Sequence, residues 1–309
     1  MSNPSLFRLH PEVAEALNDH RPVVALESTL IAHGLPWPLN FQTAQAAETA
    51  VREEGAVPAT IAVCRGRPTI GLTGEQLEEL AANPNVLKAS RRDLAVVVAQ
   101  KLTAATTVAA TMFLADKAGI RFFATGGTGG VHRGKSHTWD ISADLLEIAR
   151  TPVAVVCAGA KSILDISRTL EVLETHGVLV VGYRTDDFPA FFVRSSGEPV
   201  NARVDTPEEA SALTRAHWEL GGAGLVMAQP VMADLALEQD EFESAFEQVE
   251  REAAHAGVRG KELTPFLLTN LAEVTEGKTL RANHALVISN ARLAAKIASA
   301  FAVDSDRNC

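Results

Sequence analysis

Cysteine is scarce in this 309-residue chain. Cys64, Cys157 and Cys309 are too few and too scattered to frame a disulfide scaffold or a CxxC metal site. Positive charge is also short: 28 Lys and Arg stand against 38 Asp and Glu, a formal net charge of −10. Coating a polynucleotide needs clustered Lys and Arg to neutralise phosphates, so a nucleic acid polymer is not an expected partner. No stretch approaches the roughly 18 consecutive apolar residues that a membrane span requires. The first twenty residues carry Asp and Glu and no apolar centre, so a secretory signal is not expected. Together these absences predict a soluble, cytoplasmic protein with no membrane segment.

What is present is a globular composition, 47 % hydrophobic and 21 % charged, which excludes a disordered, collagen-like or coiled-coil chain. Short β-branched runs alternate with segments of helical period. The pattern predicts strands over 23–26, 60–64, 94–98, 121–125, 153–157, 178–183 and 224–228, and helices over 41–54, 75–82, 105–118, 142–149, 162–175 and 207–220. In the 162–175 segment Ile163, Ile166, Leu170 and Leu173 form one apolar stripe, and His176-Gly177 supplies its C-terminal stop. Such alternation implies a largely parallel sheet covered on both faces. Beyond about residue 233 three helices follow, over 240–256, 265–274 and 280–301, the second with Thr264-Pro265 as cap and first-turn proline. No linker or repeat interrupts the chain, so a single domain over 1–309 with a helical C-terminal third is the expectation.

Charge is unevenly spread. Between Lys88 and Lys135 eight basic residues face two acids, a local +6 that leaves −16 elsewhere. That island reads either as a pocket for a small anion or as solvated helix faces. In Val153-Ala-Val-Val-Cys157-Ala-Gly-Ala-Lys161 an apolar strand runs into a small-residue turn and then a lysine at the expected start of the next helix. Ligands of open α/β sheets bind at strand carboxyl ends. A helix dipole and apolar neighbours both disfavour the ammonium form, which makes Lys161 a candidate amine nucleophile, with a phosphate-holding or surface lysine as the alternative. Glu27 ends the apolar run Val23-Val-Ala-Leu; burial there raises a carboxyl pKa, as a general acid requires, unless the group is merely a paired structural acid. His33-Gly34-Leu-Pro36-Trp-Pro38 follows as a rigid loop.

Gly126, Gly127, Gly129 and Gly130 fall within five residues, a composition suited to an anion-binding backbone nest. From Gly129 to Ser136 the chain also satisfies the phosphate-loop pattern, ending Gly134-Lys135-Ser136, but the helix and later metal-binding aspartate of a triphosphatase do not follow. Asp140 and Asp144 are four apart at a helix start. With Ser142 they suit helix capping or a hard, oxygen-seeking cation whose remaining positions water would fill. Asn283 and Asn290 lie two turns apart on an apolar helix, as helix–helix hydrogen bonding would use them.

Taken together, Ala25-Leu-Glu27-Ser-Thr29, Ser90-Arg-Arg-Asp93, Ala105-Thr-Thr-Val108-Ala109, Ala124-Thr-Gly-Gly127, Gly129-Gly-Val-His-Arg-Gly134, Asp140-Ile-Ser-Ala-Asp144 and Cys157-Ala-Gly-Ala-Lys-Ser-Ile-Leu-Asp165 resemble the pseudouridine-5′-phosphate glycosidase family, also called indigoidine synthase A-like. The resemblance runs from about residue 11 to about residue 300 and includes Pro189-Ala-Phe-Phe192 and Thr264-Pro-Phe-Leu-Leu268. It implies a three-layer α/β/α sandwich with a mostly parallel, mixed sheet, assembled as a homotrimer. It implies reversible cleavage of pseudouridine 5′-phosphate by water into uracil and ribose 5-phosphate. By resemblance Glu27 is the general acid, Lys161 the nucleophile that carries the sugar as a Schiff base, and Asp140 the holder of Mn²⁺. Lys88, Val108 (through its backbone), Ser142, Ala143, Asp144 and Asn283 are then substrate-binding. Lys135 has no required place. The competing readings are a Schiff-base aldolase acting on a phosphorylated sugar, a phosphate-loop triphosphatase and a non-catalytic nucleotide-sensing module.

Overall fold

The computed structural model describes residues 7–133, 140–258 and 263–307, with side chains to residue 303. The first half runs β1 (Arg8–Leu9), α1 (Pro11–Asn18), β2 (Val23–Leu26), α2 (Thr29–His33), α3 (Leu39–Glu53), β3 (Val57–Cys64), β4 (Arg67–Ile70), α4 (Gly74–Ala82), β5 (Leu87–Ala89), α5 (Leu94–Ala99), β6 (Ala104–Thr106), α6 (Val108–Ala118) and β7 (Phe122–Ala124). The second runs β8 (Val131–His132), α7 (Ala143–Ile148), β9 (Ala154–Cys157), β10 (Leu164–Asp165), α8 (Ile166–Thr175), β11 (Leu179–Tyr183), β12 (Ala202–Val204), α9 (Pro207–Glu219), β13 (Leu225–Ala228), α10 (Gln239–Ala256), α11 (Leu263–Val274) and α12 (Lys278–Arg307).

Strands order as β1-β4-β3-β2-β7-β9-β13-β11-β12, with β6 also on β3 and β5 on β6. From β3 to β12 every pairing on this path is parallel; β4 and β6 join β3 antiparallel, so the sheet is mixed. The central strands β2, β7, β9 and β13 are buried at every position, as expected where helices cover both faces. On one side α12 crosses β2, β7 and β9, flanked by α3 and α9; on the other α6 packs over β2, β3 and β4 and meets α7. Over 278–303 α12 is long and apolar enough to cross a membrane by composition, but half of that window is buried within the protein. Its apolar residues belong to the core.

The sequence-based strand at 94–98 is a helix, α5. Ser90 and Asp93 form a reciprocal capping box ahead of it, and burial falls on Leu94 and Val97 while Val96 is exposed. Spacing of three and the cap outweigh the strand preference of three successive valines. Likewise 105–118 divides into β6 and α6, with Thr107 as N-cap accepting a hydrogen bond from Ala110 N. The helix expected over 162–175 starts only at Ile166, because Asp165 caps it and Leu164-Asp165 pair with β8 instead. Thr264 lies inside the first turn of α11, which begins at Leu263, so it is not that helix's cap.

Candidate active site

Three adjacent parallel strands end side by side. Leu26 pairs with Ala124, and Ala124 with Val156, so Glu27 and Thr125 are the next positions in register beyond β2 and β7. The Thr125 hydroxyl donates to Oε1 of Glu27. Glu27 is buried, and burial pushes its carboxyl above the usual range against the opposing pull of Lys161 and of the Thr125 bond. A raised pKa keeps the proton on, as a donor needs.

Backbone pairing continues irregularly past the strand ends: Ala158 N donates to Gly126 O at 2.8 Å, Thr128 N to Gly159 O at 3.0 Å and Lys161 N to Thr128 O at 3.1 Å. This ladder, rather than the start of a helix, positions Lys161. The expectation of a helix dipole at the lysine is therefore corrected. Ser162 donates to Ala190 O at 2.6 Å and accepts from Phe192 N at 3.1 Å, holding the chain open before α8. Gly159 makes the bend at φ 82°, where a Cβ would meet Pro189 O at 1.9 Å. Burial pushes the Cys157 thiol up to about 12, so this nearby nucleophile is inert. Among the described residues no carboxylate lies within ion-pair distance of Lys161.

Glu27, Lys88, Lys161 and Asn283 line one cavity with about 440 Å³ of empty space. Leu30, Phe191 and Leu268 supply apolar wall, and Gly126 and Gly127 supply backbone. Wider clefts of about 880 and 1330 Å³ lie elsewhere, but they are open and do not gather an acid, two lysines and buried polar atoms. That gathering makes the smaller cavity the candidate site. Asn290 donates to Thr125 O at 2.9 Å, and seven residues earlier Asn283 presents a 3 % exposed amide to the cavity from the same helix face. Asn290 thus bonds a strand-end turn and not another helix.

Val108, Ser142, Ala143, Asp144 and Asp140 are not on that wall. They form an adjoining cluster where α6 and α7 begin. Asp144 Oδ1 accepts from Ala109 N and Oδ2 from Gly129 N, both at 2.9 Å, and its charge reaches Glu27. A Cβ on Gly129 would sit 2.2 Å from Ser142 Oγ, so this glycine is required by close packing and its N–H is already used. The glycine run is a packed strap more than an open nest. With both Asp144 oxygens bonded to backbone, Asp140 alone of the expected pair has an unclaimed carboxylate; it is exposed, lies ahead of α7, and acts electrostatically on His132. Among the described residues no three His, Cys, Asp or Glu side chains converge. A cation there would take one carboxylate and several waters, a coordination that fits Mg²⁺ or Mn²⁺.

The basic island disperses. Arg91 bonds buried Glu147 at 2.6 Å and covers Phe113; Arg121 stacks on Trp218; Arg133 pairs with Glu243; Lys117 pairs with Asp116. Only Lys88 of the described members lines the cavity. Linear proximity misled because the segment crosses strands and helices whose faces point apart. Lys135 and the rest of 134–139 fall outside the described residues. The helix that a phosphate loop requires would begin at 134–136, outside the described residues; within the loop's described part Val131 and His132 form β8, paired with β10. Residues the sequence did not single out also reach the cavity: Thr29, His33 and Phe191. The four-residue spacing of Thr29 and His33 in α2 was the available signal for the first two.

An open mixed α/β sheet with an acid beyond β2 and a lysine beyond β9, on either side of β7, defines the class of site. The chain belongs to the family described as indigoidine synthase A like protein, whose model matches residues 12–300. It is 55 % identical over 291 residues to a pseudouridine-5′-phosphate glycosidase of Caldanaerobacter subterraneus subsp. tengcongensis, covering 94 % of this chain and 95 % of that one. It is 54 % identical to pseudouridine-5′-phosphate glycosidase 2 of Rhizobium johnstonii, covering 96 % of each. Among solved structures it resembles the prealnumycin C-glycosynthase AlnA in complex with ribulose 5-phosphate, at TM-score 0.91 and 38 % identity over 99 % of this chain and 100 % of that one. It also resembles an indigoidine synthase A-like protein of Thermotoga maritima, at TM-score 0.87 and 37 % identity over 97 % and 98 %.

Proposed function

We propose that this protein cleaves the carbon–carbon glycosidic bond of pseudouridine 5′-phosphate with water, reversibly, to uracil and ribose 5-phosphate. The observation that carries the reading is Glu27 and Lys161 on the wall of one cavity, each within electrostatic reach of the other, in a chain matched along its length by relatives bearing that name. A carbon-linked base cannot leave by protonation of a glycosidic oxygen, so paired-carboxylate chemistry does not suffice. Glu27 gives its proton to the ring oxygen as the C1′–O4′ bond breaks, and the Lys161 amine forms a bond to C1′. C5 then takes a proton, which leaves positive charge on C6 and N1, and the C1′–C5 pair restores the C5=C6 bond as uracil departs. The lysine nitrogen's lone pair closes the C=N bond. Water adds to that Schiff base and frees ribose 5-phosphate and the amine.

Lys88, the backbone of Val108, and Ser142, Ala143 and Asp144 hold the phosphorylated sugar; helix starts favour an anion. Asn283 closes the cavity from α12. Asp140 would hold Mn²⁺ largely through water, and the ion would supply positive charge beside an anionic substrate. A homotrimer and a cytoplasmic location complete the proposal; phosphate monoesters are retained inside cells. The Schiff-base aldolase shares the lysine but leaves the relatives' names unexplained. Incubation with pseudouridine 5′-phosphate and Mn²⁺, following uracil by chromatography, tests the reading. Absence of uracil release by protein shown to be folded would overturn it.

A further inference from the structure

Buried polar atoms nearly always find a partner. Among the described residues six buried side-chain polar atoms have none, and three of these belong to the wall of one cavity: Thr29 Oγ1, His33 Nε2 and Asn283 Oδ1. Their number in one place points to a ligand that completes them. Asn283 was already expected to face substrate; Thr29 and His33 were not.

His33 ends α2, and the backbone of Leu87 and Val86 acts on its ring, beside Lys88. That backbone raises its basicity, as carbonyl oxygens facing a ring N–H do, and with Nε2 without a partner that N–H falls on Nδ1. Burial first, and the Lys88 charge second, hold the imidazole below its ordinary pKa. The ring is thus fixed as the neutral tautomer with a lone pair on Nε2, able only to accept. Asn283 Oδ1 is a second acceptor. A phosphate offers oxygens and cannot satisfy either.

Uracil attached through carbon keeps hydrogens on both ring nitrogens, whereas attachment through N1 removes one. The apolar side chains of Leu30, Phe191 and Leu268 suit a flat ring. We propose that His33 is a specificity-determining residue, its Nε2 accepting a hydrogen bond from the N1–H of the pyrimidine and so favouring a carbon-linked over a nitrogen-linked base. This rests on the function proposed above and names the base-reading group of that site.

The test measures affinity for uracil, 1-methyluracil and 3-methyluracil in the presence of ribose 5-phosphate, in the native protein and in His33→Ala and His33→Gln. Native protein should bind uracil at least about tenfold more tightly than 1-methyluracil, the loss of one hydrogen bond. His33→Ala should bring that ratio to within about threefold, with ribose 5-phosphate affinity unchanged. His33→Gln, which keeps an acceptor oxygen, should retain part of the preference. A ratio that survives in both variants, or equal binding of uracil and 1-methyluracil by native protein, overturns the assignment. A structural role would weaken every ligand together and leave the ratio alone, which also overturns it. Failure of the native protein to release uracil from pseudouridine 5′-phosphate would instead remove the underlying function, and the His33 role with it.

Discussion

The Thr125 hydroxyl bonds the Glu27 carboxylate across neighbouring parallel strands, one register position beyond the last paired residues of β2 and β7. Asn290 of α12 holds the Thr125 carbonyl in turn, so the acid is fixed between the sheet and the helix that covers it. A buried acid held this way is aimed, and its desolvation keeps it protonated further up the pH scale than an exposed glutamate.

Glu27→Gln should therefore lower kcat by about 10²–10⁴, the usual contribution of a positioned proton donor. It should also stabilise the fold, in a pH-dependent way. Glu27 binds its proton more tightly folded than unfolded, so its contribution is fully present below the ordinary value of 4.5 and is lost as pH rises through the higher folded value. Denaturant unfolding of both proteins should give equal stabilities near pH 4 and a Gln variant that gains on the native protein as pH rises. A gap that widens toward acid pH would show that Glu27 is a paired, lowered carboxylate.

The sheet and most long helices were legible because α3, α4, α9, α10 and α12 carry sustained helical period and the central strands are short apolar runs. Glu27 and Lys161 were legible as strand-end residues, which depends only on finding the strands. What failed needed tertiary information. The valines of 94–98 follow a capping box whose effect exceeds strand propensity. Lys161 is placed by pairing with Thr128 and not by the helix after it. The basic island had a linear density that the fold divides among Glu147, Trp218 and Glu243. His33 was hidden because its loop looked merely rigid; its orientation comes from backbone more than fifty residues later.

Reduction with borohydride in the presence of ribose 5-phosphate should leave a sugar adduct on the peptide containing Lys161 and none in Lys161→Ala. Mass spectrometry of the digest decides the site. An adduct on Lys88, which shares the cavity, would reassign the nucleophile.

Exhaustive chelation should abolish turnover of the native protein, and Mn²⁺ should restore it. With one carboxylate as the protein's contribution, Asp140→Ala should need far more Mn²⁺ for half-maximal activity, read from a metal titration. Full activity after chelation would show that no cation is required.

Arg91 and Arg150 both bond Glu147, whose side chain is fully buried and also accepts from Thr151 Oγ1. The two arginines are 35 % and 44 % exposed, so water screens the cluster and losing one member costs about 1–3 kcal/mol. Glu147→Ala should lower stability by that order in urea, while Arg91→Ala should destabilise the protein without raising KM. A rise in KM with unchanged stability would return Arg91 to the substrate pocket.

With the island dispersed, recognition of the 5′-phosphate has one cavity lysine at its disposal beyond Lys161 itself. A charge-assisted contact contributes about 1.5–3 kcal/mol, so Lys88→Ala should reduce kcat/KM for pseudouridine 5′-phosphate by roughly 10- to 150-fold. Binding energy taken from the phosphate holds the opened sugar against Lys161, so part of the loss should fall on kcat and not on KM alone. For unphosphorylated pseudouridine the same substitution should change kcat/KM by no more than about threefold, because there is no phosphate contact to lose. The Val108 backbone and residues 142–144 survive the substitution, so the variant should still prefer the nucleotide, by a smaller margin. Equal effects of Lys88→Ala on nucleotide and nucleoside would place Lys88 at the sugar or base, and equal kcat/KM for the two substrates in native protein would remove the phosphate from recognition altogether.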